Sequence, residues 1–166
     1  MREVARVLLL NELDQILLLK GGDPYDPDLG SWWFTPGGGV DEGESHPQAA
    51  TRELWEETGL ELEISGPALW EREARFEFMG NVYHQLEIFF VARTTHFEPS
   101  AKLLTNIEQE SLQGWRWWSK EELVSTKEQV YPEDLGLRFD DLFLENLREP
   151  IILPAQEFEL PKKSAE

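Results

Sequence analysis

The segment that most constrains the fold is residues 36–59, where a glycine-rich turn runs directly into a helix with defined ends. A proline and three consecutive glycines end a short aromatic run and permit a tight loop. Ser45, with Gln48 three residues later, is typical of a capping box, and a proline is tolerated in the first helical turn. A glycine stands directly after the last periodic residue. The pattern predicts a helix over residues 45–58.

Three carboxylates crowd one face of this helix. At about 100° per residue, Glu53, Glu56 and Glu57 lie within an arc of roughly 100°. At a separation of about 5 Å and an effective dielectric near 20, each pair costs roughly 3 kcal/mol, of which Arg52 offsets a part. The residues alone leave two interpretations open. One is a hard divalent cation bound by oxygen ligands, and the other is an acidic, solvated helix face.

Composition bounds the class of protein. The 166 residues, 40% of them apolar, suffice for one domain with a core. No apolar run approaches the roughly 18 residues that span a bilayer, and the N-terminus lacks a cleavable signal pattern. The absence of cysteine excludes disulfides and thiolate metal sites. A formal net charge of −18 disfavours binding to duplex nucleic acid or to a membrane. We therefore expect a soluble cytoplasmic domain, and the sequence leaves a homodimer open.

Strand and helix patterns are mixed along the chain. The strand-like runs are residues 4–10, 15–20, 32–34, 67–78, 83–94 and 115–118, and further helical patterns cover 119–124 and 138–148. The first two runs are expected to pair as a hairpin. Because strands and helices do not alternate strictly, the order predicts an α+β fold, an α/β/α sandwich in which a mixed sheet is flanked by helices. We expect one domain over residues 1–150 and a tail, an extended arm, over 151–166.

The spacing of the charged residues decides between the two interpretations of the acidic helix. Residues 38–60 read GGVDEGESHPQAATRELWEETGL. Gly38, five residues, Glu44, seven residues, Arg52-Glu53-Leu54, one residue, Glu56-Glu57, one residue and Gly59-Leu60 match the Nudix box at every specified position. A pattern with this many fixed positions is specific. The chain therefore resembles Nudix hydrolases, and their fold is compatible with residues 3–148.

The resemblance implies a metal-dependent pyrophosphohydrolase acting on a nucleoside diphosphate linked to another group. Mg²⁺ or Mn²⁺ is the implied cofactor. The implied metal ligands are Gly38, Glu53, Glu56, Glu57 and the downstream Glu108, with Glu110 as its alternative. Glu53 and Glu57 are the candidate bases, and Glu108 is a further one. Arg52 and Glu44 are expected to hold the loop and the helix together through charge-assisted hydrogen bonds.

Several residues outside the box are candidates for substrate contact. Arg6, on a strand face shared with leucines, and Arg72 or Arg75 are candidates to grip phosphate, and Trp33 to stack on a base. No proline lies about fifteen residues past the box, where the family's ADP-ribose hydrolases tend to carry one. About seventeen residues past the box, where many dinucleoside-polyphosphate hydrolases carry a tyrosine, residue 77 is Glu. A nucleoside triphosphate or a nucleotide-sugar therefore remains the expected small phosphorylated partner. The alternative is a Nudix domain that binds a nucleotide as a sensor without cleaving it.

Overall fold

The computed structural model describes residues 1–23, 25–26, 28, 30–78, 80–102 and 112–157. The strands are β1 (Arg2–Leu10), β2 (Ile16–Gly22), β3 (Ser31–Phe34), β4 (Gly37–Gly39), β5 (Trp70–Phe78), β6 (Asn81–Arg93), β7 (Leu112–Trp118), β8 (Val130–Tyr131), β9 (Ile151–Ile152) and β10 (Gln156–Glu157). The α-helices are α1 (His46–Thr58) and α2 (Lys120–Ser125), and a 3₁₀ helix covers Phe139–Phe143.

Within the described residues the ten strands form one mixed sheet. The order is β10-β5-β6-β1-β2-β3-β8, with β4 also paired to β1, β7 to β2 and β9 to β5. Strand β1 runs antiparallel to β2, as the predicted hairpin requires, and parallel to β6. The predicted α+β fold with a mixed sheet is therefore confirmed.

Hydrophobic side chains pack on both faces of this sheet because alternate residues of a strand point to opposite sides. Ala5, Val7 and Leu9 of β1 pack in one cluster with residues of α1. Leu8 and Leu10 belong to a second cluster on the other face, with α2 and the 3₁₀ helix. β1 therefore lies at the centre of a layered domain, and the side chains near its start reach the functional cleft described below.

Helix α1 begins and ends where the sequence predicts. The Ser45 side chain accepts a hydrogen bond from the Gln48 backbone N–H, while the Gln48 side chain accepts one from the Ser45 backbone N–H. Gly59 takes the left-handed conformation, with φ of 79°, and donates its N–H to the Trp55 carbonyl oxygen. The capping box and the glycine stop fix the length of α1 and therefore the phase of its carboxylates.

One predicted helix differs from the structure. The helix expected over 138–148 is a single 3₁₀ stretch, in which Phe139 and Leu142 are buried and Phe143 is exposed. Asn146 has a positive φ of 60°, which cannot continue a helix, and the chain runs on to the short strand β9.

No helix among the described residues is long and apolar enough to cross a membrane.

Candidate active site

Arg52, in the middle of α1, is the centre of a carboxylate network. Its Nε and Nη2 donate to the two oxygens of Glu44 at 2.9 Å each, a bidentate pair. Nη1 donates to Glu53 at 2.9 Å and to Glu56 at 3.3 Å. Nη2 also donates to the Gly39 carbonyl oxygen at 3.0 Å, so that one side chain joins the helix to the glycine strand. This is the bracing role predicted for Arg52 and Glu44.

Arg52 and Glu44 each stabilise the charged form of the other. The hydrogen bond from Arg52 holds the pKa of the Glu44 carboxyl below its usual range, and the hydrogen bond to Glu44 raises the pKa of Arg52 further above neutrality. Asp41 lies 3.5 Å from the same guanidinium. In this network a single cation, Arg52, therefore faces four carboxylates.

Strand β4 lies directly against two of the carboxylates. The Gly37 backbone N–H donates to Glu57 Oε1 at 2.7 Å, a buried hydrogen bond. A Cβ atom on Gly38 would lie 2.5 Å from Glu53 Oε1, and one on Gly37, where φ is +146°, would collide with the backbone of β1. Glycine at position 38 therefore leaves room for the buried carboxylate of Glu53, 8% exposed, and glycine at position 37 lets β4 lie close to β1. The carboxylate of Glu57 is buried as well, 6% exposed.

A cleft of about 340 Å³ opens beside Glu53. Its wall includes Gly37–Gly39 and, from β1, the side chains of Arg2 and Arg6. Arg6 lies 4.0 Å from Glu87 and donates to the Gly37 carbonyl oxygen at 3.4 Å, and the Arg2 guanidinium lies over the Tyr83 ring. The cleft therefore holds carboxylate oxygens at one side and guanidinium donors across its floor.

The opposite wall of the cleft is built by a buried ion pair and the C-terminal strand. Arg72, 4% exposed, donates to both oxygens of Asp134 at 2.8 and 2.6 Å and to Gln156 Oε1 at 2.7 Å. Burial of Asp134 opposes its ionisation, but hydrogen bonds from Arg72 and Arg138 outweigh it, so that the pKa of Asp134 lies below its usual value. Arg72 therefore lines the cleft with its charge already compensated.

The residues proposed for substrate contact divide into two groups. Arg6 and Arg72 line the cleft. Arg75 lies on the other face of β5 and hydrogen-bonds to His84. Trp33 packs in the core, edge-to-face on Trp118 at 5.2 Å. Neither residue is among those that line the cleft. The downstream acidic candidates, Glu108 and Glu110, lie outside the described residues.

The structure adds cleft residues that the sequence patterns missed. They are Arg2, Trp32, Phe76, Gln85, Glu87, Tyr131 and Gln156. A signal for Arg2 existed, because it lies four residues before Arg6 on the same strand face. Only the register of β3 decides that Trp32, and not Trp33, reaches the cleft. Tyr131 and Gln156 come from distant segments that carry no motif.

The family follows from comparison with known proteins. A family model described as NUDIX domain matches residues 1–137. The chain belongs to the Nudix family. The complete box runs from β4 through α1 to Leu60. On the box and on these comparisons the chain is identified as a Nudix hydrolase.

Named relatives and solved structures agree with this assignment. An RNA pyrophosphohydrolase of Cereibacter sphaeroides is 32% identical over 130 residues, which cover 70% of this chain and 78% of the relative. A putative 8-oxo-dGTP diphosphatase of Bacillus subtilis is 48% identical over 61 residues, 37% of each chain. The crystal structure of the MutT protein from Methanosarcina mazei Go1 superposes with a TM-score of 0.62 at 25% identity, covering 84% of this chain and 92% of that one.

The oxygen donors of this Nudix hydrolase fit a hard divalent cation. Glu53 and Glu57 are buried carboxylates beside the backbone of Gly37 and Gly38, and no thiolate can contribute because the chain lacks cysteine. Among the described residues no three acidic or histidine side chains form a preformed metal-binding cluster, or cage. Mg²⁺ is commonly held by one or two carboxylates together with substrate phosphates and water, so such a cage is not required.

Proposed function

We propose that this Nudix hydrolase is a Mg²⁺- or Mn²⁺-dependent pyrophosphohydrolase that cleaves a nucleoside triphosphate or a nucleotide-sugar. The observation that carries the proposal is the pair of buried carboxylates, Glu53 and Glu57, held against the glycine strand β4 beside a cleft lined by arginines. An acidic, solvated helix face would leave these side chains exposed.

The residues divide the chemistry between them. Glu53, Glu57 and the Gly38 carbonyl oxygen, with Glu56 as a further donor, would hold the divalent cation, which neutralises the diphosphate and acidifies a bound water. Glu53 or Glu57 takes the proton of the water that attacks phosphorus. A new P–O bond then forms as the bond to the bridging oxygen breaks. The electron pair of that bond leaves with pyrophosphate from a nucleoside triphosphate, or with a sugar phosphate from a nucleotide-sugar. Glu108, which the structure does not describe, stays a candidate base.

The arginines of the cleft floor orient the substrate. Arg2 and Arg6 lie on the same face of β1, one strand away from Gly37 and Gly39, and can donate to phosphate oxygens. The Nudix relatives carry names that point to RNA and to 8-oxo-dGTP. The net charge of −18 favours a small nucleotide over an RNA chain for this protein, since a long anion is repelled more strongly by a protein of this charge.

A product assay tests the proposal. Purified protein with Mg²⁺ is incubated with the common nucleoside triphosphates, 8-oxo-dGTP, nucleotide-sugars and a 5′-triphosphorylated RNA, and the products are separated by ion-exchange chromatography. We expect a nucleoside monophosphate from at least one small nucleotide, and loss of turnover when EDTA removes the cation. Tight binding with no product from any compound would instead favour a nucleotide sensor.

A further inference from the structure

The described part of the C-terminal arm, residues 151–157, contributes to the cleft. The backbone N–H of Ile151 donates to Leu69 and that of Leu153 to Glu71, both on or beside β5. Leu153 is 3% exposed and belongs to the core, and β10 pairs with β5 in parallel. The match to the Nudix family model ends at residue 137, before the arm begins.

The arm brings one side chain to the cleft, that of Gln156. Its Oε1 accepts from Arg72 Nη1 at 2.7 Å, and its Nε2 donates to Glu133 at 3.0 Å. The carboxamide is therefore fixed at both ends, and it holds the Arg72 guanidinium at Nη1, the nitrogen that also donates to Asp134 Oδ1. Arg72 Nε, by contrast, is buried and has no hydrogen-bond partner among the described residues.

The sheet register sets the distance from Arg72 to the carboxylate end of the cleft. Gly39 pairs with Val4, Val4 with Glu87, and Glu87 with Arg72. Three strand spacings separate Gly39 from Arg72, roughly 14 Å across the floor of the cleft. A substrate whose diphosphate lies at Gly37–Gly39 therefore extends its other end towards Arg72.

We propose that the arm is a specificity element, in which Gln156 positions Arg72 to donate a hydrogen bond to a neutral acceptor on the nucleobase. Asp134 neutralises Arg72 with two hydrogen bonds, which disfavours a phosphate and favours a carbonyl oxygen or ring nitrogen at this end. A site built to donate to one acceptor discriminates strongly against a base that lacks it, because its donor is then left unpaired. Gln156 is thus a positioning residue that acts through Arg72. The inference rests on the proposed function only in placing the diphosphate beside β4.

Nucleoside monophosphate binding tests the arm without requiring turnover. Isothermal titration calorimetry with Mg²⁺ is performed on AMP, GMP, CMP, UMP and 8-oxo-dGMP, for the wild type and for Gln156→Ala. We expect the wild-type Kd values to differ by about tenfold or more between the best and worst ligand. Gln156→Ala should weaken the best ligand by about tenfold and change the worst by less than about twofold.

Two further variants separate positioning from mere attachment of the arm. Glu157→Gln changes the next residue, which is exposed on the opposite strand face, and should leave all Kd values unchanged. The swap Glu133→Gln with Gln156→Glu keeps the net charge, the acceptor for Arg72 and the bond between positions 133 and 156, and should restore most of the selectivity. Thermal melting of each variant verifies that the arm-bearing fold is retained.

The outcomes are distinct from those of the product assay. A uniform change of Kd for all five ligands, no change in Gln156→Ala, or a wild type without base preference would overturn the role of the arm. Selective binding that Gln156→Ala abolishes would sustain that role even if no triphosphate were hydrolysed. Hydrolysis with unchanged base preference in Gln156→Ala would leave the proposed function standing and remove the arm from it.

Discussion

Glu57→Gln and Glu53→Gln are each expected to lower kcat for the best substrate by about 10²- to 10⁴-fold, the range that a positioned carboxylate contributes through proton transfer. Glutamine matches glutamate in shape, and its amide oxygen can still accept the hydrogen bond from Gly37 in Glu57→Gln or from Arg52 in Glu53→Gln. The fold is therefore retained while the charge that binds a cation and takes a proton is lost. Steady-state kinetics with Mg²⁺ at saturating substrate measure the effect.

Glu61→Gln is the matched control for these two variants. Glu61 is an exposed carboxylate just beyond the box, so that removing its charge changes the net charge by the same amount as the test variants. We expect its kcat within about twofold of wild type, in keeping with the small effects of surface substitutions. Wild-type turnover in both Glu53→Gln and Glu57→Gln would show that these carboxylates do not carry the reaction.

The second large effect is expected in stability, at the ion pair behind the cleft. Asp134→Asn leaves the buried guanidinium of Arg72 without its anion and should destabilise the fold by about 3 kcal/mol. For a chain of this length that corresponds to a fall in Tm of roughly 6–12 °C. Asp140→Asn removes a carboxylate that is 82% exposed and paired with Lys120, and should change the stability by less than about 1 kcal/mol.

The stability difference between wild type and Asp134→Asn is expected to depend on pH with a defined sign. The folded-state pKa of Asp134 is lowered, because hydrogen bonds from Arg72 and Arg138 outweigh its burial. Its contribution is then fully present above the usual carboxyl pKa of 3.8 and is lost as the pH falls through the folded-state value. Urea unfolding between pH 7 and the acid limit of the folded state should show a constant gap between wild type and Asp134→Asn that closes only below pH 3.8. A gap that widens with acidification would contradict this account of Asp134.

Local chemistry made the start of the site predictable from sequence. The ends of α1 depend on Ser45, Gln48 and Gly59, all within or next to the helix, and the structure confirms each. The carboxylate positions follow from the helical period once those ends are set.

The rest of the cleft depends on register and on distant segments. Trp32 and Trp33 are both buried, 6% and 7% exposed, so burial does not separate them. Only the pairing of β3 with β2, Gly21 to Trp32 and Lys20 to Trp33, decides which ring reaches the cleft. Asp134 and Gln156 meet Arg72 from positions 62 and 84 residues away, without any motif at either place. Contacts of that kind are decided by tertiary packing and are not encoded in a local pattern.

The most direct test of the central claim, that Glu53 and Glu57 hold a divalent cation, is the Mg²⁺-dependent shift of Tm in wild type and in the Glu53→Gln/Glu57→Gln double variant. Both are compared with NaCl at matched ionic strength. A cation that binds only the folded state stabilises it by about 2.7 kcal/mol at a hundredfold excess over Kd, or roughly 5–10 °C for this chain. We predict that shift in the wild type and less than about 1 °C in the double variant. Equal shifts in the two proteins would contradict a metal site on this helix.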